Sequence, residues 1–393
     1  MLILKLAFRN ITHAGLRSWL NVFVLSFAFV MIVMTEGLYD GMLEQVKDAI
    51  IDSEIGGGQL WQKDYDPYDA FSIENAHSKI PKNLQGEIKK GNASAVLIVS
   101  AAIFPKGHIQ SALLKGIDPD QKIVKMPSYM LKDGGDTASI PAVIGSRMAK
   151  TTGLHAGDFL SIRWKNINGT FDAADIRIVE VMNTDVQSID RDQIWVPLKS
   201  LQKMYRAQDE ATIITLKKGI SYYPAGGPDW ALKDHNFLLK DLNNTVKQKK
   251  ATASFMFVLL LGMALLAVFD TQVLAIFRRR KEMGTLMALG MTRWNVIMLF
   301  TLEGCLLGIL ALFAGSIYGI PLLAYFARTG LNVPQMAGQA GYSIGAVLYP
   351  KYGLQLYAVT SLILFVSVVI VSFLPTRRIT KLKPTDALRG KMA

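Results

Sequence analysis

Two carboxylates stand where carboxylates are costly. Asp270 and Glu303 each lie inside a long apolar run, Asp270 seven residues before Phe277 and Glu303 seven after Val296. Between the two runs sits a basic cluster, Arg278, Arg279, Arg280 and Lys281. At about 1.5 Å of rise per helical residue, both acids fall roughly 10 Å from the cluster's level. Carboxylates at such depth serve either of two chemistries. They relay protons, or they pair with long basic side chains that reach in from the boundary. Neither run holds a further charged residue deeper in, so a relay has no next station. Pairing with the basic cluster is the expectation.

The cluster opens a short amphipathic stretch. Met283, Leu286, Met287 and Gly290 follow at i, i+3, i+4 and i+7, one face of a helix. Together with Glu282 and Leu289 they form a candidate docking surface. Methionines adapt to a groove on a partner protein, but the same face also suits lipid headgroups. Gly290 is placed to end this helix, and Thr292 to cap the next. Farther on, Gly304, Gly308, Ala311, Gly315 and Gly319 line one face of the following apolar run. Small residues let helices approach closely in lipid, so the stripe is either a packing face within the chain or a seam between two copies. Pro321 is expected to kink the far end of this run.

Catalytic signatures are missing. No GxxxxGK[ST] loop, GxGxxG fingerprint or GxSxG elbow occurs. The histidines (His13, His77, His108, His155 and His235) are not spaced as metal ligands, and the single cysteine, Cys305, allows no Cys-based zinc site. The chain reads as a non-enzyme that binds no metal or cofactor.

The elements that position these residues follow from hydropathy and charge. The chain has 393 residues, 51% hydrophobic, and a net charge of +12. Residues 1–18, 278–295 and 375–393 hold fourteen Lys or Arg against two acids, whereas 39–251 holds 27 basic and 26 acidic residues and is nearly neutral. Charge concentrated beside apolar runs is the positive-inside pattern and excludes a nucleic-acid partner. Four stretches are long enough to span a bilayer: 19–38, 253–277, 296–326 and 354–374. The expected architecture is a membrane protein of four transmembrane α-helices, with a large extracytoplasmic α+β domain at 39–251 between the first and second. Both termini are then cytoplasmic: an amphipathic N-terminal helix at 1–18 and a basic tail at 375–393. The elbow at 278–295 is cytoplasmic too, and 327–353 is an outer loop. Within 39–251, strands are expected at 94–104, 111–117, 158–164, 174–181 and 211–216, and helices at 147–152 and 198–205. Helical spacing of apolar residues continues past the first span and precedes the second, consistent with helical stalks.

Three segments in order carry a family resemblance. Arg280-Lys-Glu-Met-Gly-Thr-Leu-Met-Ala-Leu-Gly-Met-Thr-Arg-Trp is similar to the RxxEIGxLRALGATRRQI pattern of the permease superfamily that contains MacB, FtsX and the LolC and LolE lipoprotein-release proteins. The tail from Pro375 resembles that family's P-x-R-R-A-A-x-x-x-P-x-x-A-L-R ending, and Leu6-Ala-Phe-Arg-Asn-Ile its LAxRNL opening. In the outer domain, Leu114-Lys-Gly-Ile-Asp-Pro and Val143-Ile-Gly-Ser-Arg-Met-Ala-Lys-Thr-Thr-Gly-Leu-His-Ala-Gly-Asp resemble segments of the LolC and LolE branch.

The resemblance implies an ABC-transporter permease in the inner membrane, with residues 39–251 in the periplasm. A separate ATPase dimer, holding ATP and Mg, would dock on the elbow. A second permease chain, identical or homologous, would complete the assembly in the membrane lipid. The implied task is release of lipoproteins or other amphipathic substrates. The alternatives are an FtsX-like mechanical regulator of a periplasmic hydrolase or sensor, and MacB-like efflux. In LolC a protruding hook recruits a lipoprotein carrier; the matching interval here, 165–174, is short.

Overall fold

Apolar runs bounded by charge become long helices. The structure is a computed structural model describing residues 16–132, 139–183, 190, 192–219, 227–332 and 347–377. Among the described residues, four helices are long and apolar enough to cross a membrane: α1 (Leu16–Ile50), α6 (Lys240–Arg278), α8 (Arg293–Thr329) and α9 (Leu354–Thr376). The expected spans 19–38, 253–277, 296–326 and 354–374 each lie inside one of them. Helices α1 and α6 run well past the apolar cores, to 35 and 39 residues. Pro321 sits inside α8, which is one helix throughout. Most of the expected N-terminal helix and basic tail, and the middle of the 327–353 loop, lie outside the described residues.

The chain divides into two compact units. One gathers the residues up to Leu43, Thr245–Asn332 and those from Leu348 onward, and the other holds Glu44–Asn244. In the first unit, Leu25, Phe29, Val33, Ala264, Val268, Ala311, Leu364 and Val368 form a shared core drawn from all four long helices. At one end of this unit, Lys351 N–H donates to the Gly37 carbonyl (2.9 Å). A Cβ at Gly41 would fall 2.1 Å from the Tyr349 carbonyl, so only glycine lets the 349–352 segment lie on α1. Lys250 pairs with Asp40 and lies 3.8 Å from Glu36.

The second unit is built on one nine-stranded sheet. Its strands are β1 (Gln59–Gln62), β3 (Ala93–Ile103), β4 (Gln110–Ile117), β5 (Ile140–Gly145), β6 (Phe159–Lys165), β7 (Phe171–Met182), β8 (Gln193–Pro197), β10 (Ile213–Leu216) and β11 (Trp230–Lys233), in the order β11-β1-β10-β3-β4-β8-β5-β7-β6. A further pairing of β3 with β6, Ala101 opposite Trp164, closes six of these strands into a ring. The eleven-residue β3 makes this closure feasible. Its first half pairs with β10 and its second half with β6, while β4 runs along the other edge. Two short strands, β2 (Ser78–Lys79) and β9 (Glu210–Ala211), pair separately. Helices α2 (Lys82–Lys89), α3 (Ser146–Thr152) and α4 (Leu198–Tyr205) pack on the sheet, and α5 (His235–Leu238) precedes α6.

The core of the ring contains Leu97, Ile103, Leu114, Ile144, Ile162 and Ile178, all at 0 or 1% exposure. The expected strands and helices coincide with β3, β4, β6, β7, β10, α3 and α4. Strands β1, β2, β5, β8 and β11 were not anticipated. Helix α3 ends at Gly153, whose φ of +72° is left-handed, as expected of a helix C-terminal glycine.

Leu97 is fully buried inside the ring. Leu97→Ala should cost about 2–5 kcal/mol, the range for large-to-small core changes. Urea unfolding of the full chain in detergent checks this, and a loss below about 1 kcal/mol would show that the ring is not the stabilising core.

Candidate functional site at the helical elbow

The elbow follows from local backbone chemistry. Helix α6 stops at Arg278, Arg279 leaves the helical region (φ −98°, ψ 19°), and α7 runs over Arg280–Ala288. Gly290 then takes φ +96°, a conformation that a side chain would strain. Around it, the Leu289 N–H donates to the Thr285 carbonyl, Gly290 N–H to Met287 and Met291 N–H to Leu286, at 3.0, 3.1 and 3.0 Å. These bonds satisfy the last carbonyls of α7. The Thr292 side chain accepts from the Asn295 N–H (3.3 Å) and caps α8. Both of these end residues were expected from the sequence.

Arg279 is the centre of the elbow. Its Nη1 donates to both carboxylate oxygens of Glu303 (3.0 and 3.1 Å), and its Nε donates to Glu282 (2.7 Å). Its guanidinium lies 4.9 Å from the centre of the Phe300 ring. Glu303 is buried at 7% exposure. One guanidinium nitrogen thus spans the Glu303 carboxylate while another serves Glu282, a division that the planar, many-donor guanidinium allows. The expected pairing of Glu303 with the basic cluster is made by Arg279. Asp270 differs. It lies on the exposed side of α6 and makes no ion pair among the described residues, because a helical step of nine residues points it away from Arg279.

The expected docking face is divided. Met283 has 0% exposure and packs with Ile276, Val296, Ile297 and Phe300, and Met287 lies partly buried against the same group. Met283 thus anchors α7 to its own bundle and offers no surface to a partner. Leu286 is half-buried. The outward surface is formed by Lys281, Glu282, Thr285, Ala288, Leu289 (80% exposed) and Gly290, continued by Trp294 (59%). Of the periodic residues, Met283 is buried, Leu286 and Met287 are half-buried, and Gly290 is exposed beyond the end of the helix.

The glycine stripe is consumed inside the chain. A Cβ on Gly304 would fall 2.0 Å from Ser372 Oγ, and one on Gly308 3.1 Å from Val368, both on α9. Cβ atoms on Gly315 and Gly319 would meet Phe29 (3.0 Å) and Val30 (2.6 Å) on α1, and Ala311 is fully buried. The stripe thus packs α8 between α1 and α9, and a seam between copies would need another face. Cross-helix polar contacts reinforce this packing: Asn21 Nδ2 donates to Thr271 Oγ1 (2.8 Å), Tyr318 to Ser26 (3.2 Å), and Ser316 shares a bond with Tyr357 (2.5 Å). Sequence reasoning passed over Asn21, Gln272 and Ser372. Their signal was a polar residue within an apolar run, all three now buried. Among the described residues no cluster of His, Cys, Asp and Glu could hold a metal.

Residues 254–384 match the family described as FtsX-like permease C-terminal. The chain is 23% identical over 328 residues to the lipoprotein-releasing system transmembrane protein LolC of Xylella fastidiosa strain Temecula1, covering 75% of this chain and 77% of that protein. The LolC of strain 9a5c is also 23% identical, over 331 residues with the same coverage. Among solved structures, the extracellular domain of the noncanonic ABC-type transporter YknZ from Gram-positive bacteria covers 42% of this chain and 84% of its own (12% identity, TM-score 0.26). The periplasmic region of MacB from Actinobacillus actinomycetemcomitans covers 48% of this chain and 94% of its own (12% identity, TM-score 0.28).

Two outcomes test the elbow. Glu303→Ala leaves Arg279 half-buried without its main partner and should cost about 3–5 kcal/mol, whereas the double change Arg279→Met with Glu303→Leu should cost less than the single one. Unfolding of the four variants in detergent supplies the cycle. Gly304→Ala should lower the melting temperature, and Ser372→Gly, which clears the space, should restore most of the loss.

Proposed function

We propose that this chain, which belongs to the MacB/FtsX/LolCE superfamily and is an ABC-transporter permease subunit, receives movement from a separate ATPase dimer docked on α7. The observation that carries this reading is the division of α7 into an anchored face and an outward face. Met283 and the Arg279–Glu303 pair tie the helix to α6 and α8, while Leu289 and its neighbours stay exposed. A push on the outer face then reaches two long helices through a buried contact. ATP and Mg belong to the partner, and this chain's part is mechanical coupling between two states biased by nucleotide bound elsewhere.

The fourteen basic residues beside the membrane segments support a cytoplasmic elbow and termini in the inner membrane, with the 44–244 unit on the periplasmic side. A second permease chain, identical or homologous, completes the assembly. The likeness to LolC supports a lipoprotein or another amphipathic molecule as substrate. A second reading, mechanical regulation of an external hydrolase or sensor without transport, draws on one feature. Strands β6 and β7 are joined by the tight 166–170 turn, closed by the Asn166 N–H to Thr170 carbonyl bond (2.8 Å), with no protrusion to recruit a carrier.

Reconstitution with the cognate ATPase in nanodiscs tests the docking. Leu289→Asp should reduce ATPase binding and its permease-dependent stimulation at least tenfold, with an unchanged melting temperature. Leu286→Asp should act in the same direction. Full stimulation in both variants would remove α7 from the docking role.

A further inference from the structure

A trough of about 980 Å³ crosses the outer face of the ring, wholly within the 44–244 unit. Strand registers lay out its floor. On β3, Leu97, Val99, Ala101 and Ile103 belong to the ring core, so Ser100 and Ala102 between them face outward. Ala102 stands opposite Ser111 on β4 and Arg163 on β6, and Arg163 stands opposite Ala173 on β7. The small side chains of Ser100, Ala102 and Ser111 keep the floor low.

The walls carry apolar side chains that the fold leaves in water. Tyr68 and Phe71 on the loop after β1, Ile109 just before β4 and Phe171 on β7 all line the trough, at 80, 85, 75 and 61% exposure. Single apolar side chains scattered over a surface need no account, but several large ones around one trough mark a place for a ligand or partner. Local hydrogen bonds hold the loop in place. The Tyr68 N–H donates to Asp66 Oδ1 and the Phe71 N–H to Asp69 Oδ1, both at 2.9 Å, and the Tyr68 hydroxyl donates to Asp241.

Charge and wall chemistry select the ligand class. Arg163 is exposed at the trough, its guanidinium lies 4.6 Å from the centre of the Phe171 ring, and it makes no ion pair among the described residues. A guanidinium resting on a ring keeps N–H groups for an anion. Two acids line the trough. Glu74 is taken by Lys165 (2.8 Å), and Asp192, just before β8, is three strands from β6 at about 4.8 Å per strand. Ile109 and the two phenylalanine rings offer no hydrogen bond, and the Tyr68 hydroxyl is already engaged, so the walls suit hydrocarbon better than a sugar. The volume lies at the upper end of small-molecule sites, roughly 300–1,000 Å³. We propose that this trough binds a single-chain anionic amphiphile, its hydrocarbon between Tyr68, Phe71, Ile109 and Phe171 and its carboxylate or phosphate head on Arg163. The site depends neither on ATPase docking at α7 nor on what the chain transports.

The test uses the full chain in nanodiscs, with no ATPase. The probe is palmitate with a diazirine near its methyl end, and its photoadducts are mapped by mass spectrometry. Adducts on the membrane helices, which any acylated probe gives, serve as the internal reference. Saturable labelling is expected on the segments holding Phe71, Ile109 or Phe171. Arg163→Gln, which loses the charge-assisted bonds, should weaken it by roughly tenfold or more, and so should Phe71→Ser, which loses apolar wall. Both residues are exposed, so the melting temperature should not change. Unlabelled palmitate and hexadecyl phosphate should compete, and hexadecanol should compete roughly tenfold less well. Labelling confined to the membrane helices would overturn the proposal. Full labelling of the Arg163→Gln variant, or equal competition by hexadecanol, would remove the anionic head. Stronger competition by an acidic, phenylalanine-rich hexapeptide than by palmitate would assign the trough to a protein partner instead.

Discussion

A carboxylate inside hydrocarbon keeps its charge only beside a cation, and most of the membrane unit near the elbow is arranged around meeting that condition for Glu303. Arg279, whose Nη1 reaches both oxygens of Glu303, stands between the end of α6 at Arg278 and the start of α7 at Arg280. The same guanidinium binds Glu282, which sets the direction of α7, and lies over Phe300, which sets the rotation of α8. A pair of this kind contributes little net stability compared with apolar packing, but removing one partner is costly. Its value is in geometry, because few other arrangements of the three helices satisfy both charges.

Close approach is the second constraint, and glycine meets it. With no hydrophobic force between helices in lipid, van der Waals contact and cross-helix hydrogen bonds must hold the bundle. Gly304 and Gly308 admit α9, and Gly315 and Gly319 admit α1, each at distances no side chain would allow or with little room to spare. Helix α6 shares less of this packing, and Phe255, Met256, Met263 and Leu266 along it remain exposed.

The 44–244 unit obeys a different solvent. Its sheet closes six strands into a ring and leaves β10, β1 and β11 as an open extension beside it. Closure removes edges and buries a conventional core. A cavity of about 890 Å³ lies on the sheet face that runs from this extension across β3 onto β4 and β8 of the ring.

How much was legible in the chain depends on how local each signal was. Four apolar runs, the glycine that ends α7 and the threonine that caps α8 could be read directly, since each reflects a backbone or solvation requirement satisfied within a few residues. Strands with strong β-branched runs were also visible, and the short β1, β5, β8 and β11 were not. Periodicity identified the two faces of α7 without saying which was inner, and Met283 proved to be the anchor. Likewise the chain specified that small residues would be packed, and that Glu303 and Asp270, carboxylates inside apolar runs, each called for a partner. Only the tertiary structure decided that α1 and α9 fill the stripe, that Arg279 supplies the cation, and that Asp270 faces outward. Partner choice depends on helix rotation and on residues far away in the chain, and a one-dimensional pattern does not contain either.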